Sequence, residues 1–513
     1  MNFSHWIEQR ARVDGERPAI ICGNLQYSYS ELAARITGLA AVFQHDFKIR
    51  QGDRVAWLGN NSPRVIEALF ACARTGAILV PLNWRLAVPE LVQIVKDAGA
   101  VLLIVGQDQV ETAAMVAGQL SGCRVVHAYG APQTESSAGT WPALQASTGQ
   151  GTRELKDRRD APESPVLILY TSGTTGSPKG VVLTQAALAW SARNSVCMHD
   201  MTAADHVLMV LPMFHAGGFN IHTLPALFCG ATVTLHEGFE PGSVLAEIAT
   251  GRPSLVGLVP AQIQAMVAHP DWGETALSHL RCITTGSTFV PDSCVDAWVE
   301  RGVPALQVYG ATETCAVAIH QTRANATATT GSVGYAARHC KIRLIDEHLR
   351  QVPLGEHGEI LIKGANVFKQ YWRNPPATEA ALRDGWFHTG DIGFQRADGS
   401  YVIADRKADL IISGGENIYP AELEAILLEH PDIVEVAVIG QPDARWGEVP
   451  VAIVVTTIAS RLDENAVQDL FTDRLARFKH PRRVKLVDTL PRNAMGKVEK
   501  FALRKQIGDL QES

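Results

Sequence analysis

Tyr170-Thr-Ser-Gly-Thr-Thr-Gly-Ser-Pro-Lys-Gly180 follows the apolar run Val166–Tyr170, and the reading of the whole chain turns on it. The run carries glycines at 173, 176 and 180, a series of Ser and Thr hydroxyls, and one lysine, Lys179. Glycine lets backbone N–H groups come close to phosphate oxygens because no Cβ stands between them. The hydroxyls donate to the same oxygens, and Lys179 brings positive charge. The spacing is not the Walker pattern, since Lys179 follows Pro178 instead of closing a Gly-x-x-x-x-Gly-Lys-Ser run. A strand leading into such a loop predicts a phosphate-handling site.

Upstream, the sequence alternates strand-like and helix-like segments. Arg54–Leu58 reads as a strand ending in the turn Gly59-Asn60-Asn61. Ser62–Arg74 has helical spacing, with Ser62 placed to cap it and Pro63 at the first helical position. Ala77–Pro81 is a second strand, Val88–Gly99 a helix and Val101–Val105 a third strand. Such alternation predicts an α/β fold with a parallel or mixed sheet covered by helices. Gly130–Pro165 is rich in Ser, Thr, Gly, Gln and Pro and reads as a linker. Downstream, Gly358–Lys363 and Gly399–Ala404 read as strands. The tail carries helix Glu422–Glu429, strands Glu435–Gly440 and Val449–Val455, and helix Ala466–Ala476. That tail is enough for a small α+β domain, so the expected division is 1–404 and 405–513.

The 513 residues, 46% of them hydrophobic and 19% charged, describe a chain with large cores. A net charge of −7 gives no electrostatic footprint for nucleic acid. One local basic stretch, Arg474–Arg483, stands out. The 9 cysteines are scattered, with no Cys-x-x-Cys pair, which argues against a disulfide framework or zinc site and fits a reducing compartment. The N-terminal segment Met1–Arg10 mixes charges and has no apolar core, so no secretory signal is expected. No run approaches about 20 apolar residues, so no transmembrane segment is expected either. The expected location is cytoplasmic. A homodimer is left open.

The loop at 170–180 resembles the phosphate-loop signature of the adenylate-forming superfamily, which includes acyl-CoA synthetases. Further stretches match that family in its own order: Pro212-Met-Phe-His-Ala-Gly217, Tyr309-Gly-Ala-Thr-Glu313, Gly385-Trp-Phe-His-Thr-Gly-Asp391, Asp405-Arg-Lys-Ala-Asp409 continuing into Ser413–Glu424, and Pro491-Arg-Asn-Ala-Met-Gly-Lys497. The resemblance implies an ATP-dependent acid–CoA ligase. A carboxylic acid is activated as an acyl-adenylate with release of pyrophosphate, then passed to coenzyme A. The alternative acceptor is a carrier protein.

The resemblance also implies roles. Thr171, Ser172, Gly173, Thr174, Thr175, Gly176 and Lys179 would hold the β- and γ-phosphates. Glu313, with Thr171 as a second contact, would hold Mg²⁺, a hard cation suited to oxygen ligands. Tyr309, with Gly310 and Thr312 in the same motif, would lie at the adenine, and Asp391 and Arg406 at the ribose. Lys497 would draw the acid carboxylate and the α-phosphate together. Ser413, Gly414 and Gly415 would border the pantetheine channel, and Asp405 would be the hinge of a rotating tail domain. His215 would be an aromatic wall or gate of the acyl pocket, near the path of the thiol.

Two departures bear on the acid. Thr284-Thr285-Gly286-Ser287 stands where many relatives have adjacent glycines, and Val308 precedes Tyr309 where glycine is common. Larger side chains there predict a narrowed pocket bounded by His215, Gly217, Thr285, Gly286 and Val308. The expected acid is small, medium-length or compact and aromatic. At the hinge, Lys407 is shifted by one position from its usual place, which leaves Asp405 as the expected pivot.

Overall fold

The computed structural model describes residues 3–128, 139–140, 162–171, 178–287, 290–406, 409–413, 416–443, 446–458, 460–472, 474–475, 477–492 and 498–509. Most of the linker 130–165 lies outside these residues. The chain forms two compact units, one of residues 1–342 with 362–388 and one of residues 343–361 with 389–513.

Local chemistry sets the elements of the first unit. The helix Pro63–Thr75 starts where the Ser62 hydroxyl accepts from the Arg64 N–H, with Pro63 in its first turn, and ends at Gly76 with φ 72°. That left-handed terminus favours glycine. The helix is buried on nearly every side, including Glu67, whose carboxylate meets Arg35 at 2.7 Å and Arg64 at 3.0 Å. Ser28 and Glu31 form a reciprocal capping box at the start of Tyr29–His45.

An eight-stranded sheet holds the expected strands Arg54–Leu58, Ile78–Pro81 and Ala100–Val105, all mutually parallel. Pro165–Thr171 pairs in parallel with Ile78–Pro81, then turns back on itself. Its other neighbour, Lys179–Thr184, runs antiparallel to it, and Gln370–Tyr371 closes that edge. The helices Val88–Ala98 and Val110–Ala117 bury Leu91, Val95 and Val116 against Leu58, Leu103 and Val182. Each such side chain stabilises the fold by about 1.5–3 kcal/mol on burial.

A nine-stranded sheet has a parallel centre, Thr232–Leu235, His206–Met209, Leu255–Gly257, Cys282–Gly286 and Ala305–Tyr309, with antiparallel strands at its edges. One face packs Ile283 and Ala305 into a core with helices Pro241–Gly251 and Pro260–Val267 and with Trp298 of helix Asp292–Val299.

In the second unit, Ile433–Asp443 and Gly447–Thr456 form a long hairpin, flanked by Ile411–Ser413 and Arg483–Leu486. Leu423, Leu427, Val467 and Phe471 pack on one face and Leu503 on the other. The helix expected over 466–476 is shorter, running Glu464–Asp469. Its end tightens into i→i+3 bonds, Phe471 to Gln468 and Thr472 to Asp469, which turn Phe471 into the core. Among the described residues no helix is long and apolar enough to cross a membrane.

Candidate active site

The Gly-rich loop expected to handle phosphate joins the paired strands Pro165–Thr171 and Lys179–Thr184. Thr171 pairs with Lys179 and Tyr170 with Gly180 across the two strands. The loop's interior, Ser172, Gly173, Thr174, Thr175 and Gly176, lies outside the described residues, so what is seen is the stem. That stem is tightly built. A Cβ on Gly180 would stand 2.9 Å from the Ile168 side chain and 3.1 Å from both Trp372 and Tyr170. The Tyr170 phenol donates to the Asp97 carboxylate at 2.5 Å, and burial together with that carboxylate pushes its pKa well up. Trp372 and Arg373 each donate to the Asp97 backbone carbonyl at 3.1 Å.

Glu313 reaches the same place from a short 3₁₀ turn, Thr312–Thr314, that follows the strand Ala305–Tyr309. The Tyr371 hydroxyl donates to Glu313 Oε1 at 2.7 Å, and the Lys179 ammonium lies 5.4 Å from the centre of the Tyr371 ring. Lys179, Tyr371 and Glu313 are thus brought together. The Tyr371 pKa is pushed well up by burial and by the Glu313 carboxylate, so the phenol stays a donor. The backbone around Glu313 is held as firmly. The Phe368 N–H donates to the Glu313 carbonyl at 2.7 Å, and the buried Asn366 amide donates to the carbonyls of Thr314 and Val317. Cys315 and Ala316 sit at φ 53° and 72°, a backbone conformation that non-glycine residues adopt only when their surroundings enforce it.

One half-buried carboxylate with oxygen donors suits a hard cation whose remaining ligands are phosphate oxygens. Among the described residues no group of three or more His, Cys, Asp or Glu side chains is placed to hold a metal by itself. Tyr309, Gly310 and Thr312 line the turn beside Glu313. Gly310 is held close, since a Cβ there would meet the Ala316 carbonyl at 2.4 Å.

His215 and Gly217, both partly exposed, also belong to this unit. The His215 ring lies edge-on to Phe214, centroids 4.5 Å apart. Gly217 has room for a methyl group, whereas a Cβ on Gly218 would strike the Pro212 carbonyl at 2.3 Å. Gly286 and Val308 are lateral neighbours in the sheet, and a Cβ on Gly286 would strike the Val308 carbonyl at 2.3 Å. Successive strand residues face opposite ways, so Thr284 shares the face of Gly286 and Val308 while Thr285 faces the other side. The buried Thr285 hydroxyl has no hydrogen-bond partner among the described residues.

Thr284 joins a buried histidine pair, which motif reading had missed. Its hydroxyl lies 2.8 Å from His199 Nε2 and 3.3 Å from His222 Nε2. His199 Nδ1 lies 2.8 Å from the Ser195 carbonyl, so neutral tautomers satisfy the chain of bonds. Burial pushes His199 down to about 4 and His222 well below its ordinary value. Strand alternation applied to 284–286 would have pointed to Thr284.

In the second unit, Asp391 and Arg406 are directly opposed across antiparallel strands, next to the pair Ile392 and Asp405. The backbone at Arg406 is described; its side chain is not. The Asp405 carboxylate accepts from the Ala421 N–H at 2.9 Å, at the start of helix Pro420–Leu428. Ser413 ends a strand that pairs with Glu416 and Gly447, while Gly414 and Gly415 lie outside the described residues. So does Lys497, but both ends of its segment are fixed. Arg492 and Val498 bridge each other, Arg492 meets Glu435 at 2.9 Å, and the half-buried Lys500 meets Glu424 at 2.8 Å. Burial alone would lower the Lys500 pKa; the carboxylates of Glu424 and Asp405 outweigh it and raise it. The Arg482 guanidinium lies over the Trp446 ring at 5.8 Å.

Residues 7–372 match the AMP-binding enzyme family, and residues 422–497 match the AMP-binding enzyme C-terminal domain. The indoleacetate–CoA ligase of Aromatoleum aromaticum is 44% identical, covering 99% of this chain and 98% of that protein. A feruloyl-CoA synthase from an Amycolatopsis species is 39% identical over 98% of both. The solved o-succinylbenzoate CoA synthetase of Bacillus subtilis, in complex with its acyl-adenylate intermediate, superposes with a TM-score of 0.85 at 30% identity, over 98% of this chain and 97% of that one.

Proposed function

The chain belongs to the AMP-binding enzyme family, and from that premise we propose that it joins a compact aromatic carboxylic acid to coenzyme A. It is an ATP-dependent, AMP-forming acid–CoA ligase. The observation that carries the reading is the meeting of Lys179 and Glu313 on Tyr371 at the stem of the phosphate loop. It sets a cation for phosphate beside a carboxylate for its counter-ion.

In the first step a carboxylate oxygen of the acid attacks the α-phosphorus of ATP. The bond to the β-phosphate oxygen breaks and pyrophosphate leaves. In the second, the thiol sulfur of coenzyme A attacks the acyl carbon, the acyl–phosphate bond breaks, AMP leaves and the thiol proton passes to solvent. Both reactants of the first step are anions, so the need is for cations and donors more than for a base. In our reading Thr171, Ser172, Gly173, Thr174, Thr175, Gly176 and Lys179 hold the departing pyrophosphate. Glu313 and Thr171 would hold Mg²⁺, which when bound would supply charge neutralisation on the phosphates. Tyr309, Gly310 and Thr312 border the adenine. Asp391 and Arg406 take the ribose hydroxyls, a role their cross-strand register supports. Lys497 brings the acid to the α-phosphate. The tail domain then turns about Asp405 and presents Ser413, Gly414 and Gly415 to the pantetheine arm. A cytoplasmic setting is consistent with the 9 unpaired cysteines.

For the acid, two lines converge. The relatives named above act on indoleacetate and form feruloyl-CoA, both from aromatic acids. In this chain Val308 and Gly286 lie in direct backbone contact on the face that also carries Thr284, which favours a short, flat pocket closed by His215, with Gly217 as its open side. The test is acid-dependent exchange of labelled pyrophosphate into ATP over a broad acid panel, followed by acyl-CoA detection. Arylacetic and cinnamic acids are expected to lead. Palmitic or longer acids as best substrates would sink the compact pocket, and thioester formed only on a supplied carrier protein would move the acceptor from coenzyme A to that protein.

A further inference from the structure

We infer that Tyr371 is a positioning residue for adenylation, a spacer that keeps the Lys179 ammonium and the Glu313 carboxylate apart and aimed at different parts of the nucleotide. The inference rests on the function proposed above. An ammonium and a carboxylate set this close attract each other, and a direct pair would occupy both groups. Tyr371 satisfies each separately. Its hydroxyl occupies Glu313 Oε1 at 2.7 Å, and its ring face receives Lys179 at 5.4 Å. The negative face of the ring attracts the cation without taking up its N–H donors in a strong bond, so those donors stay available to phosphate. One donor on Oε1 fixes the rotation of the carboxylate and so the direction of Oε2.

The spacer is itself rigid. Tyr371 is only 8% exposed, its N–H donates to Thr378 at 3.0 Å, and it pairs with Val181 in the edge strand of the loop's own sheet. The segment that carries it also grips the Glu313 backbone through Phe368 and the following turn through Asn366. Residues 366–372 therefore form one template for both partners.

Two variants separate the contacts. Tyr371→Phe keeps the ring and removes the hydroxyl; Tyr371→Leu removes both. Expected for Tyr371→Phe is a roughly 10-fold loss in kcat/KM for pyrophosphate exchange. The half-saturating Mg²⁺ concentration should rise, with no change in the rate of CoA transfer from supplied acyl-adenylate. Calorimetric titration with ATP gives a readout apart from turnover. The gain in ATP affinity on adding Mg²⁺ should shrink in Tyr371→Phe, while ATP affinity in EDTA stays at the parent value. Tyr371→Leu should also lose affinity in EDTA, because Lys179 is no longer placed. Adding Tyr371→Phe to Glu313→Gln should cost nothing further, since the two act as one unit. An unchanged Mg²⁺ increment in Tyr371→Phe overturns the inference, as does equal loss in both half-reactions or full additivity with Glu313→Gln. A parent protein with no acid-dependent exchange overturns the functional reading instead, and the Mg²⁺ increment still decides on Tyr371.

Discussion

His199 and His222 show how burial sets chemistry at the scale of a single residue. Both rings are buried beside Thr284, and for His199 burial outweighs the Ser195 carbonyl and Asp205, which favour the charged form. Their folded pKa values lie below the ordinary 6.5, at about 4 for His199. Above pH 6.5 both states are neutral there and the full stability is present. As pH falls, the unfolded chain takes up protons that the folded chain refuses until about pH 4. Stability should therefore decline across that window, by about 1.4 kcal/mol per pH unit for each histidine. Urea unfolding followed from pH 7 to pH 5 should show a shallower decline in His199→Gln than in the parent. Parallel slopes would show that His199 takes up its proton in the fold as readily as in the unfolded chain. Motifs far apart in the sequence singled out Lys179 and Glu313, which the fold brings to one tyrosine ring, and Asp391 and Asp405, which it sets on neighbouring strands. Tyr371 and His199 were not legible, because their partners Glu313 and Thr284 lie 58 and 85 residues away. Such contacts leave no mark on local spacing.

At the scale of elements, the hairpin Pro165–Thr184 carries the loop and Gly180 sets its closest packing. Replacing Gly180 with Ala forces a methyl into space held by Ile168, Trp372 and Tyr170. Overpacking of that kind costs about 1–3 kcal/mol. The expected outcome is a lower thermal midpoint and a larger loss in pyrophosphate exchange than in CoA transfer from supplied adenylate. A variant with the parent's midpoint and exchange rate would show that the stem yields to the added methyl. Helix Pro63–Thr75 and strand Arg54–Leu58 were readable because cap, proline and apolar run coincide in a short window. The antiparallel return after Tyr170 was not, since strand-helix-strand alternation predicts parallel pairing, and here a Gly-rich loop replaces the crossover helix. The short helix at Glu464–Asp469 was overextended in the sequence because Leu470 and Phe471 continue an apolar pattern that the backbone no longer follows.

For the whole molecule, the proposed function divides the work, with Lys179 and Glu313 in the first unit and Lys497 in the second. The segment bearing Lys497 is anchored by Arg492–Glu435 before it and Lys500–Glu424 after it, and Glu424 also accepts from the Val438 N–H at 2.8 Å. Lys497→Ala should therefore leave the second unit folded. Adenylate formation should fall by roughly 100-fold, the scale of losing one charge-stabilising group, while CoA transfer from supplied acyl-adenylate is largely kept. Single-turnover assays of each half-reaction decide this, and equal loss in both would remove Lys497 from the role given to it.

The clamp on the loop's stem also orders events during synthesis. Lys179–Thr184 is apolar and would be a bare edge of its sheet but for Gln370–Tyr371, which the ribosome makes far later. Until that short strand emerges, the nascent chain presents Val181, Val182 and Leu183 on an unpaired backbone, the kind of edge that recruits other strands. The segment proposed to position the active-site pair is thus also the stopper that covers this edge.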